Sequence, residues 1–198
     1  MAALEHDAIL TEAELSGSQL VDQRASGVTF TTVRLGSVDL SGSRLEHLRI
    51  SHGALAGCNL ANVHGRGARV NRALIEGSRL TGILFAEAVL SDVTLRGCRI
   101  DLASFGSSRL ERVTFDDCLL VQTDFLDARL DAVRFHGCDL SRADFRGARL
   151  RGCEFRRSDL AGLVGVTSLR GARMEWVDIV EMAGVWAAAL GIEVLDAD

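Results

Sequence analysis

The chain has 198 residues and no proline, and its 22 basic and 27 acidic side chains give a formal charge of −5. That length suits one domain, the acidic balance argues against nucleic acid as a direct partner, and no apolar run is long enough to span a membrane. Glu5, His6 and Asp7 stand where a secretory leader would be basic, so a soluble, cytoplasmic protein is expected. Every basic residue is arginine, as a GC-rich bacterial genome would favour.

From Leu10 to Leu160 every fifth residue is apolar, with Ala25 small and Gly65 the single gap. This period belongs to neither a helix nor a strand. Two positions before these residues runs a second column of small or apolar side chains such as Val28, Val33, Cys58, Ala68 and Ala143. A large and a small side chain pointing inward from each five-residue face close a square coil after about four faces. Residues about twenty apart then stack at the strand spacing of about 4.8 Å as a parallel ladder. Residues 8 to 163 make about eight such coils. Gly17, Gly42, Gly97 and Gly147, each second after a core residue, mark tight corners. Around His64-Gly65-Arg66-Gly67 the inward side chain is missing, and a local defect with a looser or bent coil is expected there.

Cys58, Cys98, Cys118, Cys138 and Cys153 all fall on the inward small position, where a thiol acts as a small hydrophobe. His47 and His52 approach each other without a third ligand. No phosphate loop, nucleophile triad or paired-carboxylate pocket assembles on a convex prism. No enzymatic activity, metal or cofactor is therefore expected, and function falls to the outward columns.

Arg109, Arg129 and Arg149 stack on one face beside Glu111 and Asp131, which reads as a salt-bridged, solvated face. Asp116, Asp117, Asp124, Asp127, Asp131, Asp139 and Asp144 crowd one stretch, with Asp124 stacked beneath Asp144. Like charges in register oppose folding, so this stretch is either a face balanced by Arg134, Arg142 and Arg146 or a contact for a basic partner. Leu84, Val89, Leu102, Leu119, Val121 and Leu126 are apolar at outward positions and would form a protein contact if they meet.

After Gly165 the five-residue rhythm fails. Trp176, Ile179, Val180, Ala183, Trp186, Ala187 and Leu190 recur at helical spacing, with Glu175 and Asp178 near the start and Gly191 past the end, and predict one amphipathic helix. Ile192, Val194 and Leu195 predict a short strand after it. The chain thus divides into a repeat region, 1–167, and a C-terminal segment, 168–198. One apolar face of that segment caps the last coil. Val177, Met182 and Val185 add apolar surface on the other side, more than one buried stripe needs. This surplus points to a two-fold homodimer through the segment, with Trp176, Ile179, Val180, Ala183, Trp186, Leu190, Ile192 and Val194 as its candidate residues.

Ala143-Asp144-Phe145-Arg146-Gly147 and Ser158-Asp159-Leu160-Ala161-Gly162 resemble the A(D/N)LXX motif of the pentapeptide repeat family. The resemblance implies an all-β solenoid, a right-handed quadrilateral parallel β-helix, ending in a C-terminal α-helix and short strand. Ser168-Leu169-Arg170-Gly171-Ala172-Arg173 and Ala188-Ala189-Leu190-Gly191-Ile192 are similar to the tail of the MfpA and Qnr group, where the tail makes the dimer. That group implies a DNA-mimicking dimer that binds DNA gyrase or another type II topoisomerase, modulates it and lowers fluoroquinolone susceptibility, with the seven aspartates as the contact. The alternative is an interaction scaffold with no topoisomerase target. Where the motif carries Asp or Asn, this chain has arginine at 24, 34, 44, 49, 69, 79, 99, 109, 129, 134 and 149, which weakens an acidic mimic along the N-terminal half.

Overall fold

Residue pairs with residue twenty positions on, Ile9 with Thr29, Thr29 with Arg49 and Arg49 with Arg69, in the computed structural model, which describes residues 3–195. The first coil holds β1 (Ile9–Thr11) and β2 (Glu14–Ser16). In the next four coils the same two faces run together as β3 (Thr29–Gly36), β4 (Arg49–Ala56), β5 (Arg69–Glu76) and β6 (Val89–Arg96). They separate again as β7 (Arg109–Glu111), β8 (Thr114–Asp116), β9 (Arg129–Asp131), β10 (Arg134–His136), β11 (Arg149–Arg151) and β12 (Glu154–Arg156). All pairings are parallel and follow the ladders of the first two faces. The third and fourth faces pair through single bridges, from Gln19 through to Asp159 and from Arg24 through to Val164. The result is the parallel β-solenoid of about eight turns that the five-residue period implies.

The corners explain the period. Every fifth residue from Asp7 to Gly162 has positive φ, at 12 glycines and 20 other residues. A residue in the left-handed region turns the chain sharply between two extended stretches, and its recurrence at every fifth position makes each face five residues long.

Inside, the columns fill as the sequence requires, with the eight phenylalanines all buried. Phe105, Phe125 and Phe145 stack on the fourth face with centroids 5.4 and 4.8 Å apart, and Phe115, Phe135 and Phe155 stack on the second at 5.1 and 4.9 Å. Rings of the two stacks meet edge to face at about 6 Å, so each aromatic layer touches the next in both favoured geometries. The inward small column does more than fill space. Cys58, Cys98, Cys118, Cys138 and Cys153 each direct Sγ to a carbonyl in the coil below, at 3.4 to 3.5 Å. Ser43, Thr123 and Ser158 donate to the equivalent carbonyls of Leu20, Ile100 and Phe135.

Two expectations are corrected. At Gly65 the ladder is unbroken, because its N–H donates to Leu84 and His64 bridges both Arg44 and Leu84. The ring of Phe85 lies over the glycine, 2.5 Å from where a Cβ would stand, and so fills the gap from the next coil. The tail differs as well. It is not one helix followed by a strand but a 3-10 turn (Val166–Leu169), β13 (Arg173–Met174), then α1 (Trp176–Glu181) and α2 (Ala183–Ala189), interrupted at Met182. The strand precedes the helices because β12 offers it a ladder edge, taken at a spacing of 19 (Glu154 with Arg173) instead of 20. Residues 192–195 have no strand beside them, since Gly191 at φ +70° and the bond from Ile192 N–H to Ala187 end α2 in a closing turn. The last three residues of the predicted C-terminal segment, 196–198, lie outside the described residues.

The tail docks by its own apolar and acidic groups. Val166, Leu169 and Met182 join the core, with Met174, Val185 and Trp186 packed against it. Asp178 is buried and accepts the Arg157 N–H at 3.2 Å. Glu154, also buried, is gripped by Arg156 and by Arg173 at 3.0 Å, which fastens β13 to the last coil.

Candidate interaction surfaces

On this prism each outward column runs parallel to the axis, so surface chemistry is read column by column. The seven predicted aspartates do not share one face. Asp131 is on the first face, Asp116 on the second, Asp139 on the third, and Asp124 and Asp144 are bridged to each other on the fourth. Asp117 and Asp127 occupy corners beneath Gly137 and Gly147.

Several of these carboxylates have structural work. Asp124 Oδ1 accepts the N–H of Leu126 at 2.7 Å, Asp139 that of Ser141 at 3.0 Å, and Asp144 that of Arg146 at 2.9 Å. Asn59 and Asp159 do the same for Ala61 and Ala161. An Asp or Asn just before the core residue thus caps its own corner, a duty invisible when the residues are read only as charge. Others are neutralised. Arg146 clasps Asp144 through two nitrogens, and its hydrogen bonds hold that carboxyl below the usual range; Arg151 does likewise for Asp131. Arg96 sits between Glu76 and Asp116, 3.1 Å from each. What remains is an acidic end to the third and fourth faces, where Asp124, Asp127, Asp139, Asp144 and Asp159 stand among Arg142, Arg146 and Arg157.

The predicted dimer set divides as well. Trp176, Val180, Leu190, Ile192 and Val194 are exposed, Trp176 to 80 %. Ala183 is exposed too, while Ile179 and Trp186 are half-buried, Trp186 against the solenoid. Of the outward apolar residues, Leu84, Val89, Leu102, Leu119 and Leu126 are exposed, and Leu102 donates its N–H to Val121 across the third face.

Among the described residues no group of three or more His, Cys, Asp or Glu is placed to hold a metal ion, and no helix is long and apolar enough to cross a membrane. The shallow hollows sit at corners and around the tail, where Val166, Leu169, Arg170, Trp186 and Leu190 line one of about 330 Å³.

No curated protein matches the chain in sequence. Two trypsin-treated forms of QnrB1, described as a plasmid-mediated fluoroquinolone resistance protein, share its fold. Their TM-scores are 0.58 and 0.57 at 18% and 17% identity, covering 93% and 95% of this chain and 99% and 100% of theirs. HetL, a pentapeptide repeat protein involved in heterocyst differentiation regulation in Nostoc sp. strain PCC 7120, is 22% identical over 86% of this chain and 90% of its own, with a TM-score of 0.48. The family model for the pentapeptide repeat region matches residues 89–164. That match covers the C-terminal coils, and the same five-residue register runs back to the first turn, so residues 89–164 are a pentapeptide repeat region and the coils before them continue its architecture.

Proposed function

We propose that this repeat scaffold binds DNA gyrase or another type II topoisomerase in place of DNA and modulates the enzyme, lowering sensitivity to fluoroquinolones or related poisons. The observation that carries the reading is the acidic C-terminal end of the third and fourth faces, set on an unbroken ladder that lacks extruded loops. Eight coils at about 4.8 Å give a rod of about 40 Å. A second copy joined through Trp176, Val180, Leu190, Ile192 and Val194 would bury their exposed apolar surface and bring the assembly to about 100 Å with its helices. DNA of that length carries on the order of 60 charges. Two chains at −5 carry −10, so mimicry of charge is confined to the acidic end and mimicry of shape does the rest.

A purified-protein supercoiling assay with gyrase, with and without ciprofloxacin and at two salt concentrations, tests this. Salt-sensitive inhibition or relief of drug-induced cleavage is expected. The variant Asp124→Asn/Asp144→Asn removes both charges while leaving an amide oxygen to cap each corner, so its loss of inhibition would locate the contact without unfolding the coil. No effect of the wild type on gyrases from several GC-rich bacteria would leave a scaffold for another partner. The exposed Leu84, Leu102 and Leu119 favour that second reading.

A further inference from the structure

The net charge of −5 hides an uneven distribution. On the first face and its two corners, from the third coil to the eighth, eight arginines (Arg49, Arg69, Arg72, Arg109, Arg112, Arg129, Arg149 and Arg151) stand against five carboxylates, Glu87, Asp92, Glu111, Asp127 and Asp131. All of these carboxylates but Asp127 are paired mainly outside the column, Glu87 with Arg66. Arg112 takes Asp92 and Glu111, and Arg151 takes Asp131. Among the described residues Arg49, Arg69, Arg129 and Arg149 make no ion pair, and Arg109 has only a loose one with Glu111 at 3.7 Å.

These five arginines share a single column and are register partners, Arg49 with Arg69, and Arg109 with Arg129 and Arg149. Like charges directly opposite destabilise a ladder. The column of Glu76, Arg96 and Asp116 on the second face alternates in sign, and the like-charged pairs of the other faces, such as Arg24 with Arg44 and Arg79 with Arg99, are single steps rather than runs of three. The column spans about 24 Å, five steps of about 4.8 Å, as two arginine runs, Arg49 with Arg69 and Arg109 with Arg129 and Arg149, separated by the exposed Val89. The repulsion within each run is one that a bound polyanion would relieve.

The neighbouring outward column decides what kind of polyanion fits. In the N-terminal coils, beside Arg49 and Arg69, it holds Thr31, Ser51, Asn71 and Ser91, small hydrogen-bonding side chains. It continues as Glu111, Asp131 and Arg151, the two carboxylates being ion-paired to Arg112 and Arg151. A protein interface would place apolar or aromatic anchors there, whereas arginine flanked by Ser, Thr and Asn is the set that contacts sugar and phosphate. No Phe or Trp side chain of the coils points outward, since all eight phenylalanines are buried and both tryptophans lie in the tail, so this face lacks the row of large aromatic platforms on which single strands stack. We propose that the first face is a docking surface for the phosphate backbone of duplex nucleic acid, held by Arg49, Arg69, Arg109, Arg129 and Arg149 without reading sequence. The surface adjoins the acidic end of the fourth face at the Asp127 corner and otherwise faces away from it, so one chain can engage a duplex and a protein at once.

The test is fluorescence anisotropy of a labelled duplex of about 24 base pairs titrated with the full-length chain at roughly 50 to 200 mM salt. With three to five phosphates neutralised, log affinity is expected to fall against log salt with a slope of about −3 to −5. Arg69→Thr/Arg129→Thr places in the column the residue that Thr29 already supplies there; it is expected to weaken binding about tenfold or more and to flatten the slope by about 2. Arg24→Ser/Arg44→Ser, which copies Ser104 on the fourth face, should bind like the wild type. Circular dichroism establishes that each variant is folded. The proposal falls if the wild type shows no salt-sensitive binding at about 50 mM salt, if the first-face variant binds as well as the wild type, or if the fourth-face variant loses as much. It also falls if polyglutamate displaces the duplex at equal charge concentration, which would make the occupant an acidic protein. No topoisomerase enters the assay, so its result is independent of the gyrase reading.

Discussion

Twenty side chains other than glycine sit in the left-handed region at the corners, among them the β-branched Thr32 and the bulky Leu102. Each costs about 1–2 kcal/mol relative to an ordinary conformation, offset by the ladder it allows to close. Gly97 has open space around a would-be Cβ, so Gly97→Ala should cost only that conformational term, about 1 kcal/mol in chemical denaturation. Gly165, at φ +80°, lies 2.6 Å from the Phe145 carbonyl carbon and 2.8 Å from Arg146 Cα at its would-be Cβ. Backbone cannot rotate away as a side chain can, so Gly165→Ala should cost about 2–4 kcal/mol. The thiols make a second residue-level prediction. The hydrogen bond from neighbouring Cys138, together with burial, pushes the Cys118 thiol up to about 12, and burial raises Cys58 and Cys153. A raised folded value means that stability is complete below the unfolded thiol value of about 8.5 and declines as pH rises above it. Melting temperature should therefore fall above that pH, and a thiol reagent near pH 8 should label the cysteines only after unfolding. The sequence showed that the cysteines point inward; that each is aimed at a carbonyl one coil below follows only from the stacking.

At the scale of elements, the two phenylalanine stacks make the C-terminal coils aromatic, while the N-terminal coils are filled mainly by Leu, Ile and Val. Phe125 touches four other rings, so Phe125→Ala should cost about 3–5 kcal/mol. Because each coil contacts only its neighbours, the loss should open coils beside it first, visible as faster hydrogen exchange around residues 105–145 than around residues 30–60. Gly65 and Phe85 form the reverse case. Gly65→Leu alone should destabilise by overpacking against the Phe85 ring, and Gly65→Leu/Phe85→Leu should recover most of the loss, measured as a double-mutant cycle. The expected defect at Gly65 was misread because periodicity treats each position alone, whereas a ring from the adjacent coil reaches into a neighbour's vacancy. Within the tail, helical spacing marked helix-forming residues but not their break at Met182, whose side chain is buried.

Over the whole molecule, the apolar surface of the tail carries the assembly prediction. Light scattering should give twice the chain mass for the wild type and a single chain for Trp176→Glu/Leu190→Glu, two exposed positions whose change leaves the solenoid core intact. A monomeric wild type would remove the dimer from the proposed function while leaving both solenoid surfaces in place. The sequence by itself determined the solenoid, its coil length and which residues face inward. A five-residue alternation of large and small apolar side chains has one way to bury both, and that constraint is local and repeated. Only the tertiary structure decided how charge is shared. Which arginine takes which carboxylate depends on side-chain reach between coils and around corners, and so do the corner-capping role of Asp124, Asp139 and Asp144 and the unpaired arginine column of the first face. Spacing along the chain fixes the column a residue occupies, but the partner it finds there is fixed by geometry across coils.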